Sequence, residues 1–263
     1  VTTVHSRGRD WFERLTGTTG GPIGSVLSAE AELGGEQALF LAVVPDSAGR
    51  FPRAHDGEVG LEEGWNLAAE IRRAVAADAD GAAKRPVIAV VDVPSQAYGY
   101  REELIGLHQA LAGATGAYAT ARLAGHPVVA FVVGEAISGG FLAHGLQASR
   151  LVALDDDAVQ VQVMSKQSAA RITRRTIAEL DEVAKKVPAT AYDGASFAKL
   201  GALHRLLPGD ADVTAVREAL AEAVADAREG PHDLSTRLAS PEALTSRAAS
   251  IEVRRRLAAA WEG

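Results

Sequence analysis

The sequence predicts an α/β fold of buried parallel strands joined by crossover helices, on three observations. Residues 87–93 (VIAVVDV) and 128–133 (VVAFVV) are short, largely apolar and β-branched, which suits strands covered on both faces. Between them, residues 101–123 read as a long helix with Glu102 and Glu103 in its first turn, where negative charge is favoured. The run HPVVAFVVGEAISGGFLAHG, residues 126–145, then carries the second strand into a glycine-rich turn and a helix beginning at Ser138, Gly139 and Gly140. A strand, a long helix and a strand within about fifty residues form a crossover unit, and such units are right-handed in about 98% of cases. The loops after both strands then lie on one side of the sheet.

The remaining elements follow in order. Residues 25–33 and 38–44 read as two strands around Gly34 and Gly35, a hairpin that Pro45 ends. After a Pro, Gly and Asp-rich loop, residues 62–79 place Leu67, Ile71 and Val75 at four-residue spacing, as an amphipathic helix does; Asp80, Gly81 and Pro86 close it. Residues 151–154 and 159–164 predict two short strands separated by Asp155, Asp156 and Asp157. Residues 169–186, 197–207, 213–228 and 241–261 predict four helices, broken by Pro188, Pro208-Gly209 and Gly230-Pro231. A single domain over residues 1–263, mainly helical from 165 onward, is expected.

Composition narrows the function classes. At 263 residues and 47% hydrophobic, the chain can bury a sizeable core without staples. The absence of cysteine excludes disulfides, thiolate catalysis and Cys-based zinc sites, and agrees with a reducing compartment. No apolar run approaches the length of a membrane span, and the first ten residues lack the apolar core of a signal peptide, so a cytoplasmic soluble protein is expected. A formal net charge of −7 argues against general nucleic-acid binding. The histidines show no pair at helical ligand spacing, and no metal site is expected.

The loops PSQAYGY (residues 94–100) and GEAISGG (134–140) follow neighbouring strands and would share the crevice where open α/β folds bind ligands. Free N–H groups at Ser138, Gly139 and Gly140, with the partial positive charge of a helix start, favour an oxyanion or carboxylate. Such donors could stabilise a thioester enolate, each contributing on the order of 3 kcal/mol in the transition state. Gln96, Ala97, Tyr98, Gly99 and Gly134 are the candidate pocket-lining residues of these two loops. His144, six residues after Ser138 on the same helix, is a candidate proton donor; the competing reading is a packed, hydrogen-bonded core histidine. Lys166, Arg171, Arg174 and Arg175 form a basic stretch that is either a solvated helix face or a receptor for a phosphate or an acidic carrier protein. A hydrolase is a rival reading, because residues 136–140 nearly match the nucleophile-elbow pattern, with Ala136 at its first glycine position. It would need an acid and a histidine further along, for which Asp193, His204 and His232 are available.

The strings VVDVPSQAYGYREEL, HPVVAFVVGEAISGGFLAHGLQASRLVALDD, MSKQSAARITRRTIAEL and VPATAYD closely resemble the gamma subunit family of biotin-independent malonate decarboxylase. SRGRDWFERL, ELGGEQALFLAVVPD and GEVGLEEGW extend the resemblance over most of the chain. It implies a crotonase-like (ClpP/crotonase) fold of stacked βαβ units with C-terminal helices, forming half of a carboxyltransferase-like pair. In that family the beta and gamma subunits decarboxylate a malonyl thioester on an acyl carrier protein, giving acetyl thioester and carbon dioxide. The carrier's arm is phosphoribosyl-dephospho-CoA, and an alpha subunit exchanges acetyl for malonyl; no cofactor is bound directly. The resemblance places the site at the beta–gamma interface, with Ser138, Gly139 and Gly140 as one oxyanion hole and Ala97, Tyr98 and Gly99 lining the same pocket. Decarboxylation needs no nucleophile and no metal, only donors for the enolate and an acid for its carbon. The chain departs from the family pattern at Gln162, which stands before the Met-x-Lys segment where the resembled family has a histidine. GEAISGG also resembles acetyl-CoA carboxylase carboxyltransferase subunits, so a biotin-dependent carboxyltransferase is the nearest alternative, and a non-catalytic scaffold for the carrier protein is another.

Overall fold

Clusters of apolar side chains at helical spacing set the first element, which the strand-centred reading does not include. In the computed structural model, which describes residues 6–261, α1 (Arg7–Thr16) is capped by the Ser6 hydroxyl and buries Trp11, Phe12 and Leu15. Trp11 meets Phe131 edge to face at 5.3 Å. Residues 1–5 and 262–263, the ends of the expected domain, lie outside the described residues.

The hairpin forms as expected from β1 (Val26–Leu33) and β2 (Glu36–Val43), with Leu33 opposite Glu36. Gly34 and Gly35 between them both have positive φ, 61° and 89°, the pairing a two-residue hairpin turn requires. The chain continues through α2 (Leu61–Ala77), β3 (Val87–Val93), α3 (Tyr100–Leu104), α4 (Leu107–Leu123) and β4 (Val128–Ile137). The long helix expected over 101–123 is split at Gly106, whose φ of 98° a continuous helix cannot hold. β2, β3 and β4 are parallel neighbours. α2 packs on α4, and α1 packs across β1 to β4, so β3 and β4 are covered on both faces.

β4 runs four residues past the predicted strand, and the pairing shows why. Val91 pairs with Val132 but Val93 with Ala136, so β4 carries a bulge opposite Asp92. The Asp92 carboxylate accepts the N–H of Glu135 at 3.1 Å and of Gly8 at 3.0 Å, satisfying groups the ladder leaves free. A Cβ at Gly134 would collide with that carboxylate. Gly134 therefore makes room for the Asp92 clip, and its expected place in the pocket lining is corrected on that ground.

After α5 (Ser138–Ala143), β5 (Arg150–Asp155) joins β4, and β6 (Gln160–Gln162) pairs with the far end of β4, Ile137 opposite Gln162. The helix expected over 169–186 is two helices, α6 (Lys166–Thr173) and α7 (Ile177–Ala184). Arg174, at φ 55°, ends the first, and a Thr176–Glu179 capping box starts the second. The helix expected over 197–207 is α8 (Gly194–Lys199) followed by a strand, β7 (Arg205–Pro208), which pairs with β5. α9 (Val213–Glu229) is capped by Asp212, and α10 (Thr236–Ala239), α11 (Pro241–Ser246) and α12 (Ala248–Trp261) complete the described chain. Among the described residues no helix is long and apolar enough to cross a membrane.

Candidate functional site

The site is built where the end of β4 meets the loop after β3. Ser138 turns the chain with φ 57°, a left-handed conformation that a non-glycine residue adopts at a cost on the order of 1–3 kcal/mol. α5 has only six residues, so its macrodipole is small and the individual N–H groups carry the electrostatics. A Cβ at Gly140 would strike the Ser95 carbonyl, so glycine is what lets the two loops touch backbone to backbone. The loop is pinned in turn, since Val59 N–H donates to Ser95 and Ala97 N–H donates back to Val59, at 3.1 and 3.0 Å. From this loop the Gln96 side chain reaches the glycine turn, where its Oε1 accepts the Gly139 N–H at 3.0 Å.

The other loop candidates do not converge on the turn. Ala97 is buried against Gly60, Tyr98 is exposed, and Gly99 packs on Glu102, whose carboxylate a Cβ there would meet. Ser138 and Gly139 instead open on an apolar cavity of about 230 Å³ walled by Phe141, Leu142, Val161, Gln162 and Phe197. None of these apolar walls carries a sequence signal beyond ordinary core periodicity. Gln162 braces the wall: its amide donates to Ala191 at 3.0 Å and its Oε1 accepts the Val163 N–H at 2.8 Å. Beside apolar walls a single N–H exerts more on a developing negative charge than it would in bulk water.

A larger groove of about 810 Å³ lies alongside and shares Ala191, but Asp155, Asp156, Asp157, Asp181 and Asp193 line it. That charge would repel an anionic substrate, so the smaller cavity is the candidate site. Lys166 belongs to the acidic groove, ion-paired to Asp181 at 2.9 Å and 5.4 Å over the Tyr192 ring, while Arg171 is exposed on α6. The structure therefore brings together Ser138, Gly139, Gly140 and Gln96, and does not bring Lys166 or Arg171 to them.

His144 is corrected more sharply. It caps α5 instead of lying in it, and its side chain is wholly buried. Val90 can only accept at its carbonyl oxygen, so His144 Nε2–H donates to it at 2.9 Å, and Nδ1 accepts the Tyr118 O–H at 2.9 Å. Burial pulls its pKa down to about 4. A sealed, neutral imidazole with both nitrogens engaged is a core brace, and the proton-donor expectation does not survive it. The hydrolase reading weakens with it: Ser138 has the backbone of an elbow, yet among the described residues its hydroxyl makes no hydrogen bond. His204 stands 3.7 Å from Asp226, near the start of β5 and remote from the turn.

A sheet parallel from β2 onward, with a glycine turn feeding a pocket at a strand's carboxyl end, is a crotonase-like α/β fold. A transcarboxylase 12S structure shares this fold at TM-score 0.62 and 17% identity, over 82% of this chain and 41% of that one. The chain belongs to the malonate decarboxylase gamma subunit family, whose model (MdcE) matches residues 54–261. It is 52% identical to a chain of the Pseudomonas malonate decarboxylase MdcD-MdcE hetero-dimer, with TM-score 0.89 over 98% of this chain and all of that one. It is also 37% identical over 183 residues to the malonyl-S-ACP:biotin-protein carboxyltransferase MADD of Malonomonas rubra, a match covering 68% of this chain and 62% of that protein's length.

Proposed function

We propose that the chain acts as one crotonase-like domain, the gamma subunit of a malonate decarboxylase, and that with a beta subunit it converts malonyl thioester to acetyl thioester and carbon dioxide. The observation that carries this reading is the Gly139 N–H, held by the Gln96 amide oxygen at 3.0 Å beside an apolar cavity. An amide oxygen is the same class of acceptor as a thioester carbonyl, so Gln96 Oε1 marks where the substrate oxygen would sit. As the carboxylate leaves, the electrons of the breaking C–C bond pass to that oxygen as an enolate, which the N–H stabilises. Carbon dioxide departs and a proton then adds to carbon. With His144 sealed, that proton comes from water or from the beta subunit.

The pairing with a beta subunit is supported by the hetero-dimer of the Pseudomonas relative and by exposed Tyr98, Tyr100, Leu104 and Leu142. The thioester rides on an acyl carrier protein through a phosphoribosyl-dephospho-CoA arm, and an alpha subunit recharges it. Exposed Arg171, Arg174 and Arg175 suit an acidic carrier, and the assembly works in the cytoplasm. A second reading, transfer of the carboxyl group to a biotin protein, is favoured by the 37% identity to MADD.

The deciding experiment combines purified chain, its copurifying partner subunit and malonyl-loaded carrier, and measures carbon dioxide and acetyl thioester. Release of both without any biotinylated protein is expected, with no turnover by the chain alone. Turnover only after adding a biotin carrier would establish the second reading, and robust activity of the isolated chain would overturn both.

A further inference from the structure

The end of the sheet opposite the glycine turn holds a second cavity, of about 610 Å³, where β5 and β7 begin and α10 and α11 pack over them. Its chemistry is unlike that of the catalytic cavity. Arg237 of α10 donates one guanidinium nitrogen to the Ala148 carbonyl, but its Nε–H is closed off from water and has no partner. Burial, and after it the positive charges of Arg122, Arg150 and Arg247, lower its pKa to about 10. Arg150 is answered by Asp226, and Arg205 at the cavity edge by Glu222; Arg237 has no such carboxylate, and Glu242 on the lining is exposed. A partly buried cation with an unfilled donor and no carboxylate paired to it is stabilised by an anion that completes it.

Two hydroxyls on the same cavity wall are arranged to donate. Thr236 Oγ1 already accepts from Arg150 at 3.1 Å, and Ser240 Oγ already accepts the Ala243 N–H at 3.1 Å, so the hydrogen of each hydroxyl is available to a ligand. We infer that this cavity is an anion site for a phosphate-bearing small molecule, held by Arg237 with the Thr236 and Ser240 hydroxyls. A tetrahedral phosphate presents oxygens in several directions and carries close to two negative charges, which matches three donors and an uncompensated guanidinium better than a flat, singly charged carboxylate does. The site is separate from the glycine turn and stands whether or not the decarboxylase reading does.

Titrating inorganic phosphate into the full chain at constant ionic strength, read by calorimetry and thermal denaturation, tests this. Saturable binding with a rise in Tm is expected, with acetate failing to compete. Arg237→Met weakens phosphate binding by tenfold or more, and Arg237→Lys, which keeps the charge but loses the fork, weakens it by less. Thr236→Val, at the first position of α10 but not its capping residue Ser235, weakens it severalfold and keeps the test decisive should Arg237→Met fail to fold. The absence of saturable binding to the unaltered chain overturns the inference. So does unchanged affinity in Thr236→Val and the Arg237 variants, or equal competition by acetate.

Discussion

Ser138 to Gly140 and His144 lie within one short segment, yet the structure treats them in opposite ways. The glycine turn is open, with an N–H at the edge of an apolar cavity and a movable side chain holding its place. His144, the residue with the richer acid–base chemistry, is buried and spends both nitrogens on the core. The difference teaches that reactivity of type and availability in place are separate properties. A backbone donor that any residue possesses stays available because glycine exposes it, and a histidine becomes structure because Tyr118 and Val90 enclose it.

The comparison breaks most readily at Gly139. Its Cβ would meet only the Gln96 side chain, at 3.1 Å from Cδ, which can move, so Gly139→Val should fold while crowding the N–H. A loss of roughly 10²–10³ in kcat is expected from losing one oxyanion donor, with Tm nearly unchanged; wild-type turnover would return the subunit to a scaffold role. The same change at Gly140 meets backbone and should cost the fold itself.

His144 tests the other half. Its folded pKa of about 4 lies below the ordinary 6.5, so the unfolded chain takes up the proton first as the pH falls. Its stabilising effect is therefore full above pH 6.5, declines between 6.5 and 4, and levels off below, a span worth about 3 kcal/mol. Chemical denaturation across that range should show the slope in the wild type and lose it in His144→Asn. Turnover per folded molecule should stay within about threefold, whereas removing a general acid would cost about 10²–10⁴. Gln96→Ala sharpens the comparison with the smallest effect. Removing the internal acceptor frees the Gly139 N–H, so KM for the malonyl thioester should fall roughly 2–10-fold, one neutral hydrogen bond's worth, at constant kcat. A fall in kcat instead would make Gln96 a participant in the reaction.

Legibility followed the range of the deciding interaction. The hairpin, α2, β3, β4 and α9 announce themselves because their apolar patterns and turn glycines are local, and the junction at Ser138 is legible for the same reason. The break at Arg174 is not: an arginine in a left-handed conformation has no residue-type signature. Nor is β7, four residues made a strand by pairing with β5 within a stretch that reads as helix. In the site, the glycines were readable, Gln96 was readable as a loop residue but not as the one that reaches the turn, and the walls from Phe141 to Phe197 were indistinguishable from core.

By itself the sequence determined the α/β class, the crossover between β3 and β4, the glycine turn, and the motif strings that mark the malonate decarboxylase gamma family, because each depends on neighbours along the chain. The tertiary structure alone decided that Gln96 occupies the Gly139 N–H, that Asp92 clips the bulge against Gly134, that Lys166 faces an acidic groove and that His144 is sealed. Those outcomes depend on where side chains distant in sequence point once the sheet has assembled, and burial, which sets both reach and ionisation, exists only then.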